Sequence, residues 1–167
     1  MDLARLRFGD WVMGIGGLAV LLVMFLDWYE VPELTRYTSG RGIDGAEPAV
    51  GFNAWESFAV NDVILALAAV MAITAIVLTA TQPTAAVPLA LASLTTLVAI
   101  ISAVLVTIRV IWPPDLTGPG IVDADRTTGA WLGLVAISAL VGGCLASIRD
   151  ERSPQPEHPV EPRLVQP

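Results

Sequence analysis

Between Val63 and Ile108 the chain carries no charged side chain, a run of about 46 residues when one membrane-crossing helix needs only about 20. No water-soluble core excludes charge over such a length. Two apolar helices joined by a tight turn account for it. Thr81-Gln82-Pro83-Thr84 supplies that turn, polar but uncharged, with a proline that breaks helices. The rest of the 167-residue chain agrees: 54% is apolar, mean hydropathy is +0.68, and only 15% is charged. Soluble domains usually have about a quarter of their residues charged.

Four helices are expected, over about residues 9–29, 57–80, 85–112 and 129–148. The first rests on the apolar run from Trp11 to Leu26, which as a helix reaches about 24 Å, short of a hydrocarbon core of about 30 Å. Phe8 at one end and Trp28-Tyr29 at the other extend it into the interfacial zones. Arg5 and Arg7 before the run resemble the start of a signal peptide. The run closes in FLDWYE, however, without a small-residue cleavage site, and reads as an uncleaved helix. A long outer loop from about Glu30 to Glu56 follows, rich in glycine and carrying Pro32 and Pro48. Within it Ala49 to Ala59 suits a short strand or an interfacial helix. Pro88 sits in the first turn of the third helix, where a missing N–H costs nothing, and Trp112-Pro113-Pro114 ends it. From residue 149 the chain is proline-rich and predicts a disordered tail. The expected fold class is all-α: an integral membrane four-helix bundle spanning 1–148, with that tail as 149–167.

An even number of spans places both termini on one side, together with Arg5, Arg7, Arg149, Arg152 and Arg163. Arg36, Arg41 and Arg126 lie opposite, with Arg109 near the membrane edge. The excess of basic residues makes the terminal side cytoplasmic, in the plasma membrane. A net charge of −7 argues against nucleic acid as a partner. Cys144 and His158 are the only cysteine and histidine, which excludes a disulfide and cysteine- or histidine-rich metal cages. Asp115, Asp123 and Asp125 lack the terminal glutamate of a calcium loop. No cofactor is expected. No nucleophile elbow, phosphate loop or zinc-protease motif is present, so the chain reads as a non-enzyme.

Three groups of residues stand out. Asp27, Asp62 and Arg109 should share a depth near the outer boundary, where a charge needs a partner or water, and a structural ion pair is expected there. The competing reading of the same residues is a proton- or ion-coupled site opening outward. On the fourth helix Gly129, Gly133, Ala136, Ala139, Gly143 and Ser147 recur at three- and four-residue steps, the pattern of close helix packing in lipid. Gly14, Gly16 and Gly17 form a smaller set on the first. Trp11, Trp28, Trp112 and Trp131 fall at helix ends as interfacial anchors, while Trp55 lies in the outer loop, against the membrane or a partner. Asp10 is expected in a solvated ion pair with Arg5, Arg7 or Arg149. The hydroxyls of Thr74, Thr79, Ser93, Thr95, Thr96, Ser102 and Thr107 should bond carbonyls one turn back.

The segments GDWVMGIGG and FLDWY around the first helix, AWESFAVNDVILALAA opening the second and TTGAWLGL opening the fourth resemble small uncharacterised four-helix membrane proteins common in high-GC bacteria. The resemblance covers roughly residues 8 to 148 and implies topology, not an activity. The outline with a larger first outer loop also resembles claudins; Trp55 matches their loop tryptophan, but their paired loop cysteines are missing. The expected role is a non-enzymatic accessory or scaffold subunit in the lipid bilayer, with a membrane-protein partner or a homo-oligomer. An oligomeric transporter or channel subunit using Asp62 and Arg109 is the alternative.

Overall fold

A computed structural model of the chain describes residues 6–31, 50–58, 60–81, 86–114 and 124–152. In chain order the elements are α1 (Phe8–Val23), β1 (Asp27–Val31), β2 (Val50–Asn53), the short α2 (Ala54–Ser57), α3 (Asn61–Thr81), α4 (Ala86–Ile111), β3 (Asp125–Arg126) and α5 (Thr128–Arg152). The fold is mostly helical. Three helices, α3, α4 and α5, are long and apolar enough to cross a membrane, and α1 is a shorter apolar helix. These are the features of a membrane protein. Most of the segment 30–56, residues 82–85 with all of the expected turn but Thr81, and the tail beyond Arg152 lie outside the described residues.

The long helices turn mostly small side chains inward and many large ones outward. On α3 the buried face is Leu65, Ala68, Ala69, Ala72 and Ala75, whereas Val63, Leu67, Val70 and Val77 are exposed. On α4 the buried positions include Ala92, Thr95, Ala99, Ser102 and Val106, with Leu94, Leu97, Ile101 and Val104 outside. Helices that associate in lipid do so through close backbone approach, not by hiding apolar surface from water. Small residues facing each other permit that approach. Neighbouring helices pack as α1 on α3, α3 on α4, α4 on α5 and α5 on α1.

The α1–α5 contact is the tightest. A Cβ added at Gly143 would stand 2.3 Å from the Met13 backbone nitrogen, and one at Gly16 would stand 2.8 Å from the Leu140 backbone. At Gly9 it would meet the Ser147 backbone nitrogen at 2.3 Å. Each helix therefore lends glycines to the other's main chain. Of the six small residues expected to pack α5, Gly129, Gly133, Ala136, Gly143 and Ser147 are buried and Ala139 is exposed. Hydroxyls inside the helices bond one turn back: Thr79 to the Ala75 carbonyl at 2.9 Å, Thr95 to Leu91 and Thr96 to Ala92 at 2.7 Å. Ser102 differs, reaching across to the Ile64 carbonyl on α3.

The first helix stops earlier than its apolar run suggests. Residues 24–26 turn the chain, and Asp27–Val31 becomes a strand where the sequence pointed to helix as far as residue 29. The aromatic and β-branched residues of DWYEV suit a pleated surface better than a helix. β1 is the centre of a three-stranded antiparallel sheet in the order β2-β1-β3. A register shift between Asp27 and Tyr29 lets two successive residues, Trp28 and Tyr29, both face inward. Within 49–59, residues 50–57 supply a strand and a helix in turn, β2 and then α2, whose start is capped by a capping box between Asn53 and Glu56. At the far end α5 continues to Arg152, past the end at 148 expected from the sequence.

Candidate functional site

Two polar clusters close the two ends of the helices. The larger lies under the sheet, at what is here termed the cap end. The last carbonyls of a helix have no partner within it. In α4 they are taken by side chains from other elements: the Tyr29 hydroxyl donates to the Arg109 carbonyl at 2.9 Å, and the Arg126 guanidinium donates to those of Val110 and Ile111, the latter at 2.7 Å. A cation there also suits the negative end of the helix dipole. Trp28 does the same for α1, its Nε1–H donating to the Val23 carbonyl at 2.8 Å. The rings of Trp28 and Tyr29 both meet Phe58 edge-on, with centroids 5.4 and 6.0 Å away. The Thr127 N–H donates to the Trp28 carbonyl at 3.0 Å and its hydroxyl to that of Asp27, tying the start of α5 to β1.

Burial raises the pKa of Tyr29 from 10.0 to about 12, against the charges of Arg109 and Arg126, which pull it down. An unfolded tyrosine loses its proton near pH 10 while the folded one keeps it. The contribution of the neutral phenol to stability is thus whole below pH 10 and is lost as pH rises from 10 towards 12. We predict that thermal stability in detergent falls more steeply over that interval for the wild type than for Tyr29→Phe. Parallel curves for the two proteins would show that Tyr29 does not control the alkaline limb.

Asp27, Asp62 and Arg109 all lie at the cap end. Asp27 is exposed at the start of β1, its carboxylate against Gly51. Asp62 is buried in the first turn of α3, where its carboxylate accepts the Val63 N–H at 2.7 Å. Arg109 is half-buried in the last turn of α4. Among the described residues no hydrogen bond or ion pair joins the Arg109 guanidinium to either carboxylate. The arginine that closes α4 is Arg126 of β3, which follows it in the chain.

Asn61, one residue before Asp62, is 8% exposed, and neither end of its amide has a hydrogen-bond partner. An orphaned buried polar group costs about 1–3 kcal/mol. Asn61→Leu keeps the branched outline of the side chain and removes both orphans, so it should raise the melting temperature in detergent. A lower melting temperature would mean that the amide is satisfied in solution.

The second cluster closes the terminal end, where α1 starts and α5 finishes. Asp10 is buried, not solvated as the sequence led one to expect. It is 5% exposed; the Ser147 hydroxyl donates to it at 2.5 Å and the Arg7 backbone N–H at 3.0 Å. The cause is the glycine contact: Gly9 lets α5 approach until Ser147 lies over Asp10. Asp150 completes the clasp, its carboxylate accepting the Gly9 N–H at 3.3 Å and its carbonyl accepting the Arg7 guanidinium.

Of the four tryptophans expected as anchors, Trp11, Trp112 and Trp131 are exposed at helix ends. Trp28 is 1% exposed and belongs to the core of the cap. Phe58 and Asn61 were not singled out by the sequence, and Tyr29 and Arg126 were noted only as an interfacial ring and an outer-side charge. The aromatic and β-branched composition of DWYEV is the one signal of the strand that places Tyr29. Among the described residues no group of histidines, cysteines or acids is arranged to hold a metal ion, and Asp115 and Asp123 lie outside them. Comparison with family models, with curated proteins and with solved structures gives no match.

Proposed function

We propose that the chain crosses the plasma membrane four times as a helical bundle, with both termini cytoplasmic. We propose further that it serves as a non-enzymatic accessory or scaffold subunit presenting its capped end to a membrane-protein partner outside. The observation that carries the membrane reading is the inverted surface: exposed Leu67, Val70, Leu97 and Val104 against buried Ala68, Ala72, Ala99 and Ser102. A soluble protein rarely exposes a contiguous apolar patch beyond a few hundred Å², whereas lipid requires one. Support for the scaffold role comes from the polar side chains of both clusters. Tyr29, Arg126 and Trp28 spend their hydrogen bonds on tying the sheet to helix ends, and Asp10 and Ser147 theirs on joining two helices, the work of a rigid frame.

Reporter fusions test the topology. A fusion after Pro167 and one before Met1 should both report cytoplasm, and an insertion between β1 and β2 should report the outside. Ends on opposite faces would overturn four spans. For the scaffold role, a photocrosslinker at exposed Glu30 or Asp125 in native membranes should give one discrete adduct with a second membrane protein. Adducts only with lipid or with a second copy would overturn it.

A further inference from the structure

We infer that Trp55 and Phe25 form an aromatic ledge that rests in the headgroup layer of the outer leaflet, so that the sheet cap lies at the membrane surface instead of projecting into water. The inference rests on the four-span reading and assigns that reading a specific lipid contact. Its starting point is an exchange of roles between two tryptophans. Trp28, at the sequence position of an anchor, is folded into the cap, whereas Trp55 of α2 is 40% exposed. The Trp55 ring packs on Phe25, which is 69% exposed, with centroids 6.2 Å apart. The Ala54 N–H donates to the Met24 carbonyl at 3.2 Å, fixing α2 directly onto the end of α1. Trp55 therefore stands where the chain leaves the apolar helix.

Two further observations select lipid as the occupant. Leu22 on α1, three residues before Phe25, and Val60 and Val63, just before and in the first turn of α3, are likewise exposed and apolar, and the four-span reading places them in the bilayer. Trp112, just past α4, and Trp131, in the first turn of α5, are exposed at the same end. With Trp55 they put an indole on three separate elements around one end of the helices, the arrangement that indoles adopt at a membrane interface. α1 has 16 residues and rises only about 24 Å, so this flank is the one whose apolar reach needs extending. Phe25 and Trp55 extend it without more helix.

The test is depth measurement by nitroxide labels on the full chain in phospholipid nanodiscs, with Cys144→Ala removing the native thiol. Collision rates with oxygen and with a water-soluble nickel chelate rank each label between lipid and water. Labels at Trp55→Cys and, as an independent site, Phe25→Cys should match a label at Trp112→Cys. Both should be several-fold richer in oxygen collisions than one at Asp125→Cys on the sheet, and Val70→Cys should read as hydrocarbon. If positions 25 and 55 read as watery as 125 while 70 stays in hydrocarbon, the ledge is an aqueous surface and this inference fails alone. If they are shielded from both reagents, protein covers the ledge and the inference fails in favour of a second copy. Should position 70 itself read as water, the four-span reading fails with it.

Discussion

Gly143→Leu is expected to yield no folded protein, while Gly142→Leu one position earlier folds like the wild type. The difference follows from what each new side chain meets. A Cβ at Gly143 would stand 2.3 Å from the Met13 backbone nitrogen and 2.6 Å from its Cα, whereas one at Gly142 has nothing within 4 Å. The obstacle at Gly143 is main chain, which cannot swing aside as a side chain can. Overpacked cores typically lose about 1–3 kcal/mol, and a whole side chain pressed between two helix backbones belongs at or beyond the upper end. Gly143→Ala should already lower the melting temperature by several degrees. Gly142→Ala should be neutral or slightly stabilising, because glycine in a helix interior is unfavourable by about 0.5–1 kcal/mol relative to alanine. Fluorescence-detected gel filtration and thermal unfolding in detergent read both pairs. Equal behaviour at 142 and 143 would show that α1 and α5 do not meet along the glycine face.

The same contact explains how the terminal clasp is made. Asp10 and Ser147 are 137 positions apart and become hydrogen-bonded only because Gly9 and Gly143 bring the helix axes together. The expected loss in Gly143→Leu is therefore larger than local overpacking. Separating the helices also takes the hydroxyl donor from the buried Asp10, leaving it the Arg7 N–H alone, and a buried polar group that loses a hydrogen bond is costly.

The long helices were legible because charge is forbidden along them, and that prohibition is written residue by residue from Val63 to Ile108. Proline at 83 and the pair at 113 and 114 marked their ends equally well. The end of α1 was not legible. Apolarity continues through Phe25 and Leu26, and neither hydropathy nor helix propensity separates a helix that runs into the interface from one that turns into a strand. What decides it is pairing: β1 acquires partners from 50–53 and 125–126, contacts that no local window contains. The site residues divide in the same way. Asp62 and Arg109 drew attention as charges beside apolar helices, and both do lie at the cap end. Arg126 sits in a polar loop where an arginine attracts no notice, and it becomes the cap of α4 only when β3 pairs with β1. Burial of Asp10 was hidden for a related reason, since a carboxylate near three arginines reads as solvated until the glycine contact draws Ser147 over it.

A second large effect is expected at the cap, and it can be partly reversed. Trp28→Ala removes a ring that is 1% exposed, packs edge-on to Phe58 and donates to the Val23 carbonyl at 2.8 Å. Truncating a buried aromatic typically costs about 3–5 kcal/mol, and the orphaned carbonyl adds about 1 kcal/mol or more. Trp55→Ala, by contrast, should leave stability in detergent almost unchanged, because that ring faces outward. The indole of Trp28 lies against Gly133, where a Cβ would stand 2.2 Å from Cη2. Gly133→Ala should accordingly destabilise the wild type. In the Trp28→Ala background the obstruction is gone, and the new methyl should be neutral or should recover part of the loss. A double-mutant cycle on melting temperatures should then show the double mutant more stable than the sum of the two single losses. Strict additivity would mean that Trp28 does not fill the space above Gly133, and the cap would have to close around a different ring.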